Sequence, residues 1–477
     1  MTETEGIRRA LMASLPERFT GDSGRSDPGR LYLPPAHVQA LRLECSLVVG
    51  SRGVGKSFWT EALADRALRV LLGVAVTELE STEVHVGFSA RPGIDAYPDQ
   101  STFEELRRAG FGAFDIWRAV VTRWLASLGG EAVPVESWPA SVRWVRDNAE
   151  AVARLAEKVD RRLSEAGRKG LIVFDALDRT GVDWRVMDDT VRDLLRVVLW
   201  LTSHWALHAK VFLRDDQFTR PVTDFPDASK LLAMKSELTW QRHDLHGLLW
   251  QQLCNGAGEA GVVLRTLYGR VRGEDLAERE GIWYLDEKVK REELLQKKLF
   301  EALAGPWMGR DRRRGVPYTW IVGHLADGRG RTSPRSFLRA LKTAVQDSSE
   351  RYGDHDYPLH YESIKRGVQT ASGVRIAEMA EDYPWVEALS EPLKGLTVPC
   401  SFVAVEERWR ARFPEGPESV APGKLPPSGA EKGWPGVRED MKKLGLLEVM
   451  EDGRINMPDL YRVGFGLGRK GGVKPMA

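Results

Sequence analysis

The stretch Leu47-Val48-Val49-Gly50-Ser51-Arg52-Gly53-Val54-Gly55-Lys56-Ser57-Phe58-Trp59 decides how the remainder of the chain is read. The run over residues 43–49 is short, apolar and ended by glycine, which predicts a buried strand. Residues 58–72 carry apolar side chains at helical spacing up to Gly73. Between strand and helix, Gly50, Ser51, Arg52, Gly53, Val54, Gly55, Lys56 and Ser57 satisfy the full pattern G-x-x-x-x-G-K-[S/T]. The chemistry explains each residue type. Glycines let backbone N–H groups turn inward around a phosphate, and the following helix presents its positive end. Lys56 reaches the terminal phosphate oxygens and the Ser57 hydroxyl can ligate Mg²⁺. The expected ligand of these eight residues is therefore a magnesium nucleotide, with ATP and Mg²⁺ as the cofactor pair.

Such a loop needs a carboxylate at the end of a neighbouring strand to hold the metal and its water. Leu171-Ile172-Val173-Phe174 is an apolar strand with Asp175 directly after it, so Asp175 joins Ser57 as the expected magnesium ligand. Asp178, three residues on, is the candidate to orient an attacking water; capping the next helix or pairing with Arg179 is the alternative. Lys210-Val211-Phe212-Leu213 reads as another strand, and Arg214 at its end is expected to face the γ-phosphate from the carboxyl edge of the sheet. The alternative for Arg214 is an ion pair with Asp215 or Asp216. Pro334 sits in the first turn of a predicted helix, and Arg335 beside it is placed to reach back toward the nucleotide or to lie on a solvated face.

Further strands are predicted at 83–88 and 236–240 and a long helix at 183–204. Strands alternating with helices predict an α/β fold with a mainly parallel sheet covered on both faces. The expected organisation is a loosely held arm over residues 1–30, in which 7–15 could form a short helix. A P-loop NTPase core at 31–242 follows, with a helical insertion at about 95–168 that contains Trp117, Trp124, Trp138 and Trp144. Residues 243–390 read as a helical lid. Residues 391–477 read as a winged-helix-like domain, with helices at 402–413 and 437–444 and strands at 447–450 and 455–457 around Glu451-Asp452-Gly453. Pro414, Pro417, Pro422, Pro426 and Pro427 predict an extended, mobile loop between those helices.

Composition limits the classes. The chain has 477 residues, 42% hydrophobic and 29% charged, which excludes a disordered or fibrous protein. No window approaches about 18 uninterrupted apolar residues, so no membrane span is predicted. The acidic start Met1-Thr2-Glu3-Thr4-Glu5 is unlike a secretory signal, and a cytoplasmic location is expected. Cys45, Cys254 and Cys400 lie too far apart for a metal site and read as reduced core thiols. His204 with His208, and His243 with His246, are four apart on predicted helices and read as structural histidines. The tryptophans of the insertion read as core anchors first and a docking surface for a partner second.

A formal charge of +1 excludes a global attraction to polyanions, so any such partner must meet a local patch. Arg310, Arg312, Arg313, Arg314, Arg329, Arg331, Arg335 and Arg339 stand against only Asp311 and Asp327 in their segment, with Trp307, Tyr318 and Trp320 close by. That mixture suits nucleic acid, a clamp on ATP, a subunit interface or a solvated surface. Arg462, Arg469, Lys470 and Lys474 form a second basic region beside the expected wing.

At the loop of residues 50–57 and at Asp175-Ala176-Leu177-Asp178-Arg179, the chain resembles the P-loop ATPases of the AAA+/STAND branch, in particular the KAP group. That group commonly reads Asp-Asp-Leu-Asp-Arg here, far from its phosphate loop. The resemblance covers residues 40 to 345 approximately. It implies ATP hydrolysis and nucleotide-sensing roles for Arg214 and Arg335. It also implies work in oligomers or with a partner effector protein, and a winged helix after the lid. Ala176 replaces the usual second acid, which bears on turnover, and the membrane segments of many KAP proteins are missing. The chain therefore resembles soluble bacterial members, many of which act in anti-phage defence. The sequence admits two functions of different class: an ATP-driven switch or motor, with DNA as one candidate substrate, and a nucleotide-holding scaffold that recruits a partner through its winged helix.

Overall fold

The computed structural model describes residues 2–17, 27–180, 184–218, 221–421, 426–469 and 473–475. The chain divides into two compact units. One is centred on Leu33–Thr239; the other combines the N-terminal helix, Gly29–Tyr32 and Trp240–Ala477.

The first unit holds five parallel strands, β1 (Leu47–Gly50), β2 (Thr82–Phe88), β3 (Lys169–Phe174), β4 (Leu207–Arg214) and β5 (Ser236–Glu237), in the order β2-β3-β4-β1-β5. Alternation along the strands explains why these runs are apolar throughout. Leu47, Val49, Ile172, Phe174, Val211 and Leu213 join the cluster built with the insertion helices and the helix Trp184–Leu201. Val48, Leu171, Val173 and Phe212 alternate with them and are equally buried. The insertion comprises the helices Gln100–Arg108, Ala113–Gly129, Trp138–Asp147 and Ala149–Glu165. Trp117, Trp124 and Trp138 are buried in the core and Trp144 packs against it half-buried, which favours anchoring over docking. Trp117 stands edge-on to both Phe88 and Phe174.

Lys210, fully buried on β4, donates to the carbonyls of Ala40 (2.7 Å), Arg42 (2.9 Å) and Cys45 (2.6 Å), and so fixes the turn that feeds β1. Burial pushes its ammonium down to about 8. The helix expected over 58–72 is two helices, Lys56–Ala64 and Arg66–Gly73, because Asp65 adopts an extended conformation and caps the second through the N–H groups of Ala67 and Leu68. His208 lies on β4, not on a helix with His204, since the preceding helix ends at Leu201.

In the other unit the helices Arg242–Cys254, Gly258–Arg272, Glu293–Ala304, Pro317–His324, Pro334–Arg351 and Tyr361–Asp382 dominate. The short helix allowed at 7–15 forms and starts earlier, while the expectation of a loose arm before residue 31 is corrected for residues 3–14. Glu3–Ser14 is a helix that buries Ile7, Ala10 and Leu11, and Arg8 donates to the carbonyls of Tyr352, Gly353, Tyr357 and Pro358. Gly21, Asp22, Ser23 and Gly24 lie outside the described residues. A hairpin not foreseen in this helical stretch, β6 (Ala277–Arg279) with β7 (Ile282–Tyr284), turns at Glu280-Gly281, both at positive φ.

The segment after residue 391 contains the helices Phe402–Arg412 and Gly433–Lys443 and an antiparallel pair, β8 (Glu448–Val449) with β9 (Ile455–Asn456). It does not separate from residues 243–390 as a unit of its own. The Gly328 N–H meets the Gly445 carbonyl, and His324 faces Asp459. Of the proline-rich loop, Pro417–Ser419 is a short 3₁₀ turn, and Pro422 lies outside the described residues. Among the described residues no helix is long and apolar enough to cross a membrane.

Candidate nucleotide site

The phosphate loop leaves β1 at Gly50 and enters the helix Lys56–Ala64. Gly53 and Gly55 have φ of 84° and 106°, conformations that side chains resist, and a Cβ placed on Gly55 would meet open space. The loop thus forms a backbone-lined cradle. The Lys56 ammonium folds over it and donates to the carbonyls of Gly50 (2.8 Å) and Ser51 (2.9 Å). Burial pushes Lys56 down to about 8, against the pull of Asp175, with Arg214 adding to the depression.

Asp175 directly follows β3 and is buried, its N–H donating to the Phe88 carbonyl at 2.9 Å. The strand carrying it was expected beside β1 and is not; β4 lies between them. The helix that follows the loop still brings the Ser57 hydroxyl beside the Asp175 carboxylate, near enough to favour its charged form. Burial raises the Asp175 carboxyl above its ordinary range, opposed by Ser57 and Lys56. A hydroxyl and a carboxylate side by side, with a cationic lysine adjoining, are the donor set that suits Mg²⁺ beside a phosphate cradle. The residues present fit the pair that the sequence implies.

Asp178 lies exposed on the 3₁₀ turn Leu177–Arg179, close enough for its charge to act on Asp175. Arg179 donates to the Ala90 carbonyl at 3.0 Å. Between the two acids, Ala176 takes the left-handed conformation at φ 57°. Arg214 stands opposite Gly50 in the β1–β4 ladder, with its side chain about 10% exposed. Its guanidinium grips Asp216 in a fork, Nε to Oδ1 at 3.1 Å and Nη2 to Oδ2 at 2.6 Å. The ion pair named as the alternative for Arg214 is thus present and largely buried. Lys56 responds to Asp216 and Asp215 as well. Sequence reasoning missed Asp216 as a member of the site; the signal was its place two residues beyond a strand-end arginine.

His37, also unforeseen, accepts from Trp59 Nε1 at 3.2 Å and meets the Thr239 carbonyl at 3.0 Å through Nε2. Those partners assign the proton to Nε2, and burial holds the imidazole neutral, down to about 4. It supports the helix that carries Lys56 and Ser57. Arg335 belongs to the other unit, where it pairs with Glu378 at 2.9 Å. The site therefore joins Lys56, Ser57, Asp175, Asp178, Arg214 and Asp216 within one unit.

A parallel sheet with this loop at one strand end, and a buried carboxylate returning to it, defines the architecture. The first unit has a P-loop NTPase fold. No family model matches the chain, and no curated protein matches its sequence. Among solved structures it is similar to the ORC2 protein of Aeropyrum pernix in ADPNP-ADP complexes, at 12% identity and a TM-score of 0.40 over 94% of this chain and 91% of that one. It is also similar to the Aeropyrum pernix ORC1 protein in complex with DNA, at 12% identity and a TM-score of 0.35 over 94% and 93%. The assignment of the fold rests on the strand order and the loop.

The arginine-rich segment resolves into unlike parts. Arg335 is ion-paired with Glu378, and Arg329 donates to the Lys443 carbonyl. Tyr318 is buried against His246 and bonded to Gln296, so it offers no face to a base. The second basic region is corrected too. Arg462 is fully buried, held by Asp459 at 2.6 Å and by the carbonyls of Leu467 and Val473, and Arg469 pairs with the same Asp459. Lys470 lies outside the described residues.

Proposed function

We propose that this chain binds a magnesium nucleoside triphosphate, with ATP the expected one, in the loop of residues 50–57 and hydrolyses it as a switch. The observation that carries the proposal is the loop of residues 50–57 itself, set between β1 and the helix Lys56–Ala64 with Gly53 and Gly55 at positive φ, and with the buried Asp175 after β3 close enough for its charge to act on Lys56. Loop amides and Lys56 hold the phosphates. Ser57 and Asp175 would hold Mg²⁺, which when bound offsets charge on the β- and γ-phosphate oxygens. The Asp178 carboxylate, exposed to solvent, accepts a hydrogen bond from water and orients it. Arg214, opposite the first residue of the loop, answers to the γ-phosphate, and Arg335 is the proposed lid sensor. The expected assembly is an oligomer or a complex with an effector protein. Membership of the KAP-like group, and with it a part in anti-phage defence, rests on the Asp175–Arg179 resemblance alone.

Titration calorimetry with Mg-ATP tests the binding step: heat is expected with the wild type, and affinity falls by about 10- to 100-fold in Lys56→Ala, the worth of a charged hydrogen bond. No heat with any nucleotide would end the proposal.

A second reading, a nucleotide-holding scaffold with negligible turnover, is favoured by Ala176 in place of an acid and by the hold of Asp216 on Arg214. Asp178→Ala separates the two. A switch loses phosphate release while keeping nucleotide affinity; a scaffold has no release to lose.

A further inference from the structure

We propose that the loop of residues 309–315 is a docking element for the phosphate backbone of a nucleic acid. The loop is closed by the Met308 N–H on the Gly315 carbonyl at 2.9 Å, and its centre is a 3₁₀ turn, Arg312–Arg314. Arg310, Arg312, Arg313 and Arg314 are all exposed. None of these four guanidinium groups makes an ion pair or hydrogen bond with a described residue.

Elsewhere the chain behaves differently. Arg9, Arg108, Arg154 and Arg410, equally exposed on helices, each pair with a glutamate four residues away. The single acid inside the loop, Asp311, turns its carboxylate onto the Arg313 N–H at 2.8 Å and so caps the turn. Glycines bound the loop at both ends, and a Cβ on Gly315 would press on the Trp320 ring at 3.2 Å. The turn is thus held by backbone bonds and a cap, while four cations project without acids.

In a chain of net charge +1, four unpaired arginines within five residues are a local field. Arginine rather than lysine fits phosphate, because the guanidinium fork matches two oxygens at once. Successive phosphates along a strand, lying several ångströms apart, match cations on successive residues better than one compact nucleotide does.

The test uses the full chain and two fourfold variants. One carries Arg310→Gln, Arg312→Gln, Arg313→Gln and Arg314→Gln. The control carries Arg9→Gln, Arg108→Gln, Arg154→Gln and Arg410→Gln, which removes the same charge from paired positions. Fluorescence anisotropy with labelled duplex DNA, single-stranded DNA and RNA is followed across a salt series. Expected is salt-dependent binding by the wild type, retained by the control. In the loop variant the log–log slope falls by roughly 3 to 4 on a duplex, or about 3 on a single strand, for four lost phosphate contacts.

Three results overturn the proposal. The first is no binding of any oligonucleotide by the wild type at low salt. The second is an equal loss of slope in both variants, or in neither. The third is a loop variant that keeps its slope but loses self-association or ATP turnover, which would assign the arginines to a second copy of the chain. Mg-ATP affinity, measured alongside, is expected to be the same in all three proteins, so failure here is separable from failure of the nucleotide proposal.

Discussion

Arg214 is the cross-strand partner of Gly50, so the residue that opens the phosphate loop and the arginine that ends β4 share one rung of the ladder. Register alone brings a cation to the rim of the cradle. Asp216 then holds that cation in a two-point grip at 2.6 and 3.1 Å, with both side chains little exposed.

The first prediction follows from that grip. A γ-phosphate competes with Asp216 for Arg214, and Asp216 also repels an incoming anion. Asp216→Asn is expected to tighten triphosphate binding relative to diphosphate by roughly 5- to 10-fold, the scale of one charge-assisted contact. Calorimetric affinities for the ATP and ADP complexes give the ratio. An unchanged ratio would remove Asp216 from nucleotide discrimination.

The second concerns pH. Burial first, and Arg214 after it, hold Lys56 down to about 8, so in the free protein it is cationic below that value and neutral above it. Phosphate contact needs the cation. Nucleotide affinity is therefore expected to be full below pH 8 and to weaken above it, by at most tenfold per pH unit for one proton. In Lys56→Ala that dependence should flatten. A wild-type affinity constant between pH 7 and 9.5 would contradict it.

The third concerns Ala176. At φ 57° it occupies the left-handed region, which costs an alanine about 1 kcal/mol and which asparagine and aspartate tolerate better. The acid usual at this place in the resembling group therefore suits the backbone as well as the chemistry. Ala176→Asn is expected to stabilise the first unit by up to about 1 kcal/mol in denaturant melts. A destabilised variant would show that the surroundings, half-buried here, penalise the longer side chain.

Much of the nucleotide unit was legible because its signals are local. Leu171 to Asp175 and residues 47–57 each state strand, edge and chemistry within a few residues. The order of the strands was not, since nothing near Asp175 tells that β4 intervenes before β1. The tether on Arg214 was seen only as an alternative, because sequence does not tell which neighbouring acid can fold back. The charge patterns failed for a related reason. Arg462 and Arg469 look like a basic tail until Asp459, a helix turn and more away in sequence, is seen to collect both. The Glu280-Gly281 hairpin carried a turn signal, a glycine between short runs, that helical surroundings masked.

The N-terminal segment was legible in part, its short helix but not its docking, and it supplies the last prediction. Polar composition suggested an arm, yet Arg8 is only 3% exposed and donates to five backbone carbonyls between Tyr352 and Pro358, while Lys342 holds the carbonyls of Met12 and Leu15. A guanidinium has five N–H donors in a fixed plane, so one side chain can serve a whole irregular segment that has no ladder of its own. Arg8→Ala leaves those carbonyls without their donors, and the expected cost is on the order of 3 kcal/mol, since each desolvated group left unpaired costs about 1 to 3 and some regain water. Hydrogen–deuterium exchange should rise sharply over residues 352–360, where the amides rest on the segment that Arg8 organises, and over the helix Glu3–Ser14 itself. Arg8→Lys, which keeps the charge but not the planar fork, should recover little of the protection. Equal exchange in the wild type and in Arg8→Ala would mean that the apolar face of Ile7 and Leu11 holds the helix without help, and that the arginine merely follows it.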